Sequence, residues 1–377
     1  MRSLKASIAS RGRLAGVISS LLIVPAMVFG ASAVPAAAAI HQASVKVVTA
    51  NLNNPRNLTW GPNGELLVSE AGVGGPTCFG PKGNQTCLGL TGSIAAVKAG
   101  KATNVVQGLV SDNQGDGISG IKYANGHLYG VMSLSSAVIP AGLPPALAVA
   151  GYNQLGRLLQ LDPGHAVSMV ADPGDYDYAW SNLHKSIGAG NFPDANPYAL
   201  LVKPHITYVV DAASNTLDSV TPDGTVSVLG HVPNPPKGDA VPTCIDQGKD
   251  GTIYIGQLTS AGNKAGVANI YRWTPKTGFK VWLSGFSAVT GCGFGANGDF
   301  YVTEFDLTGF PPAGIPAGAV VQVTPSGQRT VLGQGKLFAP NGFLADPHGP
   351  IYVTNWSVQP GTSVKGSPTG EVVKITP

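Results

Sequence analysis

The chain has 377 residues, of which 11% are charged and 43% are hydrophobic, and it contains 51 glycines and 30 prolines. Its formal net charge is +3, but four basic and no acidic residues lie among the first 40, so the remainder carries −1. Without a basic excess to neutralise phosphates, the composition argues against a nucleic-acid partner. Abundant turn residues and few charges favour an all-β domain.

Residues 1–39 have the composition of a secretory signal peptide. A basic start precedes an apolar run over 14–30, and small residues follow, with Ala-Ser-Ala at 31–33 and Ala-Ala-Ala at 37–39. Cleavage after Ala33 or near Ala39 is compatible with this pattern. A membrane anchor is the alternative, although the run is short for a span of about 20 residues. We therefore expect an exported protein, at the cell surface, in the periplasm or secreted, with no membrane span in its mature form.

One phrase recurs in the remaining domain, residues 40–377. It reads NPRNLTWGPNGELLVSEAG from Asn54, VPTCIDQGKDGTIYIGQL from Val241, VTGCGFGANGDFYVTEFD from Val289 and APNGFLADPHGPIYVTNW from Ala339. Each copy is a short apolar strand, a tight turn with glycine and a second strand. This pattern is typical of the inner hairpin of a β-propeller blade.

Together with a repeated outer hairpin, the phrase predicts six blades. Their ranges are 54–110, 118–174, 196–234, 241–287, 289–338, and 339–377 with 41–52. The last copy lacks its outermost strand, which the segment 41–52 is expected to supply. Pairing this N-terminal strand with the last blade would close the ring and remove the free sheet edges.

The inner turns are predicted from their glycines. Asn-Gly and Asp-Gly pairs suit type I′ hairpin turns, in which both central residues have positive φ. Blade three has Lys203-Pro204-His205 instead, where Pro204 must lie outside the strand ladder because it has no N–H.

The long connections all belong to one face of the predicted disc. With the strands of a blade called a to d from the channel outward, this face carries the b–c and d–a loops, and we call it the loop face. Two of its loops, Ser133–Tyr152 and Thr308–Ala319, are apolar and rich in proline. They either fold over one another as a collar or form an apolar patch for a ligand or partner.

A ring of polar residues is expected at the channel mouth on the loop face, where b strands end and a strands begin. Its members are Asn57, Glu70, Asn196, Asp211, Gln257, Glu304, Asn341 and Asn355. Such residues commonly cap turns and tie strands together. The alternative is a ligand or metal site, in which Glu70, Asp211 and Glu304 would supply oxygen ligands for calcium.

Four cysteines in an exported chain predict two disulfides. Cys78 and Cys87 share the first long b–c loop, and pairing would pin it. Cys244 and Cys292 occupy similar places in successive a strands, so a bridge there would join blades four and five. Two free thiols facing the channel are the alternative for the second pair.

The phrase NPRNLTWGPNGELLVSEAG, the segment YVVDAASNTLDSVTPDGTVSVL and the loop EFDLTGFPPAG before AVVQVTPSGQ together resemble the ScyD/ScyE family. The resemblance covers residues 45–377 and implies a secreted six-bladed propeller of the TolB-like and NHL-like class. It implies little about chemistry, because no activity is established for that family. The chain departs from the family pattern in the inner turn of blade three and in Cys244 and Cys292.

Two functions follow from these patterns. The first is an exported binding or scaffold module, monomeric, that holds a small molecule, a glycan or a protein on the loop face, without a cofactor. The second is a calcium-type hydrolase or lyase, by analogy with the six-bladed gluconolactonase and regucalcin propellers, which hold a divalent cation in the channel. Glu70, Asn196, Asp211, Glu304 and Asn341 would form a similar set. No nucleophile motif identifies a catalytic residue.

Overall fold

The structure is a computed structural model that describes residues 39–40, 43–187, 193–362 and 366–377. The predicted signal peptide lies outside these residues, apart from Ala39. The described strands form six antiparallel sheets, one for each predicted blade, arranged as a six-bladed β-propeller. The predicted fold class is therefore confirmed.

The blades share a four-stranded core in the order a to d. In blades one to three the strands are Pro55–Trp60, Leu66–Glu70, Thr86–Lys98 and Lys101–Asp112; Ile118–Ala124, His127–Met132, Leu158–Gln160 and Ser168–Ala171; and Pro197–Lys203, Ile206–Asp211, Thr216–Val220 and Val226–His231. In blades four to six they are Pro242–Gln247, Ile253–Gln257, Ala268–Thr274 and Gly278–Phe286; Val289–Phe294, Phe300–Glu304, Ala317–Val323 and Arg329–Phe338; and Asn341–Ala345, Ile351–Asn355, Gly370–Thr376 and Ser44–Leu52.

The ring closes as predicted. Ser44–Leu52 pairs antiparallel with Gly370–Thr376, with Val47 opposite Val373, and so completes blade six. Two short strands were not expected: Ala39–Ile40 pairs parallel with the outer strand of blade five, and Thr77–Phe79 extends blade one. The first and last described strands are therefore held in the sheets, which stabilises the closed ring against opening between blades.

The predicted type I′ geometry is correct at one inner turn only. In blade two, Asn125 and Gly126 have φ values of 53° and 85°, as a type I′ turn requires. In the Asn63-Gly64 turn the glycine alone has positive φ, and Gly61 accepts a hydrogen bond from Gly64 N–H, so the loop is one residue wider. Blade three turns in two residues at Pro204 and His205, outside the ladder, as predicted.

Hydroxyl groups join the innermost parts of neighbouring blades. Five buried Ser or Thr side chains each donate a hydrogen bond to a backbone carbonyl of the next blade, on its a strand or directly before it. These bonds run from Ser69 to Ser119 (2.6 Å), from Thr243 to Val289 (2.6 Å), from Thr290 to Pro340 (2.9 Å), from Thr303 to Gly342 (3.1 Å) and from Thr354 to Arg56 (2.8 Å). They satisfy inner carbonyls that water cannot reach and fix the spacing between blades.

Both predicted disulfides are present. The Cα atoms of Cys244 and Cys292 are 5.6 Å apart on the a strands of blades four and five, so this bridge joins two blades. Cys78 and Cys87 close the tip of the first b–c loop. The free-thiol alternative is not realised. Such bridges are typical of proteins in oxidising compartments.

Two helices lie within connections that were expected to be irregular loops, and both belong to blade two. Helix α1, Pro145–Gln154, lies in the b–c connection, and helix α2, Pro173–Leu183, follows the d strand. Each has proline in its first turn, and the Asp172 carboxylate caps α2 by accepting from Asp175 N–H. Neither helix, nor any other in the described ranges, is long and apolar enough to cross a membrane.

We expect removal of the Cys244–Cys292 bridge to destabilise the ring more than removal of the other bridge. The bridges span 48 and 9 residues, so chain-entropy estimates give about 4 and about 2.6 kcal/mol. Denaturant unfolding of the C244S/C292S and C78S/C87S variants measures both. Equal losses would contradict a role for Cys244–Cys292 in holding blades together.

Candidate functional site

The predicted ring residues at the ends of the b strands bond to the entering segment of their own blade. Glu70 accepts from Asn53 N–H at 2.6 Å, and Glu304 accepts from Ser287 N–H. Each carboxylate therefore ties the end of strand b to the segment that leads into strand a. Burial raises the pKa of both, that of Glu304 to about 7.

The other three b-strand ends also bond to backbone that precedes strand a, with different chemistry. Asp211 accepts from Asn196 N–H at 2.8 Å within blade three, whereas Asn355 of blade six accepts at 2.7 Å from the N–H of Phe338, the last residue of strand d in blade five. The Gln257 amide instead donates to the Pro233 carbonyl at 2.8 Å. Carboxylate, carboxamide oxygen and carboxamide N–H thus close equivalent corners of different blades.

The a-strand asparagines differ from one another. Asn57 accepts from the neighbouring Leu58 N–H at 2.7 Å. Asn341 donates to the Tyr198 hydroxyl at 2.7 Å. Blades six and three are opposite in the ring, so this bond crosses the channel. Asn196 is 9% exposed, and its Oδ1 has no hydrogen-bond partner among the described residues.

Glu70, Asp211 and Glu304 are thus distributed over blades one, three and five, each bonded within its own blade. Within the described ranges, no group of three or more His, Cys, Asp or Glu side chains is placed to hold a metal ion. The calcium site on this ring stays a prediction.

A different acidic group lies at the channel mouth. Asp116 and Asp194 lie in the segments that lead into the a strands of blades two and three. Burial and the charge of Asp112 raise the pKa of Asp116 to about 7, with Asp194 adding to the rise. Burial and the charge of Asp211 raise the pKa of Asp194 to about 6. Both carboxyls therefore exchange protons near neutral pH.

A buried arginine lies beside this pair. Arg56 is 9% exposed, and its guanidinium donates to the carbonyls of Ser357 (2.9 Å) and Gly115 (2.6 Å). It joins blade six to the segment that carries Asp116, and its charge lowers the pKa of Asp116 against the effect of burial. The mouth thus combines two titrating carboxyls, one fixed cation and the free oxygen of Asn196.

The loop face also exposes apolar side chains. Val149 and Tyr152 of α1 are 61% and 55% exposed, Leu183 at the end of α2 is 80% exposed, and Ile315 of blade five is 71% exposed. Leu147 of α1 is buried. The predicted apolar loops therefore bury part of their surface and leave part of it in solvent.

Asp116, Asp194, Arg56 and Tyr198 were not among the predicted site residues. A weak signal for the two aspartates is present in the sequence, because Asp-Gly at 116–117 and Asp-Ala at 194–195 precede successive a strands, as does Asp-Ala at 239–240. The roles of Arg56 and Tyr198 depend on contacts across the ring, which no local pattern encodes.

No protein family matches the chain by sequence, and no curated protein matches it either. Solved structures, by contrast, are similar to it in their fold. A gluconolactonase from Xanthomonas campestris has 8% identity and a TM-score of 0.52, over 90% of this chain and 91% of that one. A PQQ-bound aldose sugar dehydrogenase from Streptomyces coelicolor has 13% identity and a TM-score of 0.50, over 89% and 98%. A virginiamycin B lyase from Staphylococcus aureus, in complex with quinupristin, has 13% identity and a TM-score of 0.47, over 89% and 100%.

At these identities the likeness to the gluconolactonase and the dehydrogenase shows the fold alone, and it agrees with the six-bladed ring. Resemblance to the ScyD/ScyE family stays a prediction. The activities of the similar structures belong to those proteins, so the function of this chain has to be argued from its own residues.

We expect the Y198F variant to lose about 1 kcal/mol of unfolding free energy, because Asn341 then lacks its partner across the channel. Y208F is the matched control: Tyr208 lies in the same blade and packs its ring edge-on against Trp273, 6.4 Å away. The Y208F variant should lose no more than about 0.5 kcal/mol of unfolding free energy. If both variants unfold alike, the cross-channel bond does not contribute in solution.

Proposed function

We propose that this chain is an exported enzyme that hydrolyses or eliminates an oxygen-rich small molecule, such as a lactone, at the channel mouth. The observation that carries the proposal is the pair Asp116 and Asp194, whose pKa values are raised to about 7 and about 6 at the end of the channel. Titrating groups in a cleft with pKa values near the working pH are typical of general acids and bases.

The two carboxyls divide the proton transfers between them. At neutral pH Asp194 is mainly ionised and accepts a proton from a water molecule. The oxygen of that water attacks the carbonyl carbon of the ester. Asp116, whose pKa is raised to about 7, donates its proton to the leaving alkoxide. One water is consumed, one C–O bond breaks, and a carboxylic acid and a hydroxyl group form. The proton on Asp194 then returns to Asp116 through solvent.

Other mouth residues support this chemistry. Arg56 places a fixed positive charge beside Asp116, which favours an anionic product or transition state. Asn341 and Tyr198 cross the channel and limit how deeply a substrate enters.

A metal ion has no part in this sequence of steps. Each predicted carboxylate ligand accepts a backbone N–H in its own blade, and the residues described here supply no third carboxylate or imidazole to complete a set. We therefore derive no step through a calcium ion, and the calcium site on this ring stays a prediction.

Turnover of a lactone is expected to follow a narrow bell-shaped pH profile. The rate rises as Asp194 ionises near pH 6 and falls as Asp116 loses its proton near pH 7, giving a maximum between the two. Steady-state rates from pH 4.5 to 9 over a panel of lactones and esters measure this profile. A rate that keeps rising above pH 8 would contradict these assignments.

The D116N variant is expected to lose about 10²–10⁴ of the turnover rate, because an amide cannot supply the proton. D250N is the matched control, since Asp250 lies exposed in the inner turn of blade four on the opposite face. It should keep the wild-type rate. Equal rates for D116N and wild type would remove Asp116 from the mechanism.

EDTA is expected to leave both turnover and melting temperature unchanged. The measurement is metal content by elemental analysis, with activity and melting before and after chelation. One calcium per chain whose removal abolishes turnover would favour the predicted ring of Glu70, Asp211 and Glu304 instead.

The exposed apolar side chains favour a second candidate, an exported module that binds a hydrophobic molecule without turning it over. Val149, Tyr152 and Leu183 lie on the loop face with more than half of their surface in solvent. Saturable binding of an apolar ligand, lost in V149D and unaffected by D116N, together with no turnover, would support this function over catalysis.

A further inference from the structure

Helix α2 holds one of the two mouth carboxyls in place through a single side chain. The Ser181 hydroxyl donates to the Asp194 carbonyl at 2.9 Å and accepts from Asp194 N–H at 3.0 Å. Both backbone polar groups of Asp194 are therefore bonded to the helix. The position of Asp194 depends on how α2 is docked.

One turn before Ser181, the same helix places a carboxyl against blade three. Asp177 of α2 and Asp218 of strand c are both 0% exposed. The Thr216 hydroxyl lies 3.2 Å from Asp177 Oδ2 and 3.1 Å from Asp218 Oδ2. The second oxygen of each carboxyl has no hydrogen-bond partner in the described ranges. Two buried carboxylates this close repel each other unless one of them holds a proton.

Among the described residues around the pair, none supplies a compensating cation. Asp211 adds a third buried carboxyl, although backbone N–H groups bond to it. His231 lies at the end of strand d in the same blade. Burial lowers its pKa to about 4, so its imidazole is neutral. His184 ends the helix, where its ring stacks on Trp180 at 4.1 Å. At the other end of α2, Arg157 pairs with Asp172 and Asp175.

We propose that Asp177 and Asp218 share one proton, and that this proton docks α2 on blade three and thereby positions Asp194 at the channel mouth. The role of Asp194 at the mouth rests on the proposed function, but the proton shared by Asp177 and Asp218 does not. Burial raises the pKa of Asp218 to about 8 and, with the charge of Asp218, raises that of Asp177 as well. These directions agree with a proton retained at neutral pH.

The sign of the pH effect follows from these raised values. Unfolded aspartates ionise near 3.8, whereas in the folded state burial raises the pKa of Asp218 to about 8 and that of Asp177 as well. Between these values the folded state holds more protons, so its stability falls as pH rises. Above the folded pKa the pair is doubly charged, and the charge repulsion loosens α2.

The test compares D218N with wild type. In D218N the amide is neutral, donates to Asp177 and does not titrate. Between pH 5 and 8, the equilibrium constant for folding of wild type should therefore fall about tenfold more per pH unit than that of D218N. D177N tests the same bond from the helix side if D218N fails to fold. D223N is the matched control, since Asp223 is exposed in the same blade, has a lowered pKa and stays ionised throughout.

The positioning part is tested by hydrogen exchange, which needs no substrate. In wild type the amides of α2 and of Asp194 should lose protection together above pH 8, and in D218N they should keep it. In S181A the Asp194 amide should exchange about tenfold faster while α2 stays protected at pH 6. These readouts separate failure of this proposal from failure of the catalytic one.

Two results would overturn the proposal. If D218N and wild type share the same pH slope, no proton is held by the pair. If calcium raises the melting temperature of wild type at pH 8 but not that of D218N, a cation rather than a proton neutralises the pair. Unchanged Asp194 exchange in S181A would overturn the positioning role alone.

Discussion

The ring depends on hydrogen bonds from buried hydroxyl groups to the backbone of the next blade. Ser69, Thr243, Thr303 and Thr354 each donate to a carbonyl on a neighbouring a strand, and Thr290 donates to the Pro340 carbonyl directly before one. An inner strand has no sheet neighbour on its channel side, so polar groups there need partners from the adjacent blade. Because these bonds fix the spacing of the a strands, they also fix the width of the channel and the positions of the groups at its mouth.

The mouth shows how one fold position serves two purposes. At the end of strand b, Glu70 and Glu304 bond inward to their own blades and hold the entering segment. At the entering segment itself, Asp116 and Asp194 carry partly exposed carboxyls with acidic neighbours, and their pKa values are raised to about 7 and about 6. The pKa of Glu304 is raised to about 7 as well, so the two kinds of carboxyl differ in their partners, a backbone N–H for Glu70 and Glu304 and other acids for Asp116 and Asp194.

The two helices of blade two are the main elaboration of the propeller. Helix α2 connects a buried acid pair on blade three to the backbone of Asp194, so it couples the outer part of a blade to the channel. Helix α1 instead presents Val149 and Tyr152 to solvent. Insertions on the loop face therefore both support the mouth and enlarge the surface around it.

The sequence by itself determined the six blades, the positions of their inner turns and the closing strand, because alternating apolar residues and glycine turns are local and recur with each repeat. It also predicted both cysteine pairs, Cys78 with Cys87 because they share one loop, and Cys244 with Cys292 because repeats bring equivalent positions together. It did not determine which polar residues face one another. The bond between Asn341 and Tyr198 joins residues 143 apart, and the pKa values of Asp116 and Asp218 come from burial and from acids on other elements. Local pattern decides strands and turns, whereas partners and burial exist only once the ring has closed.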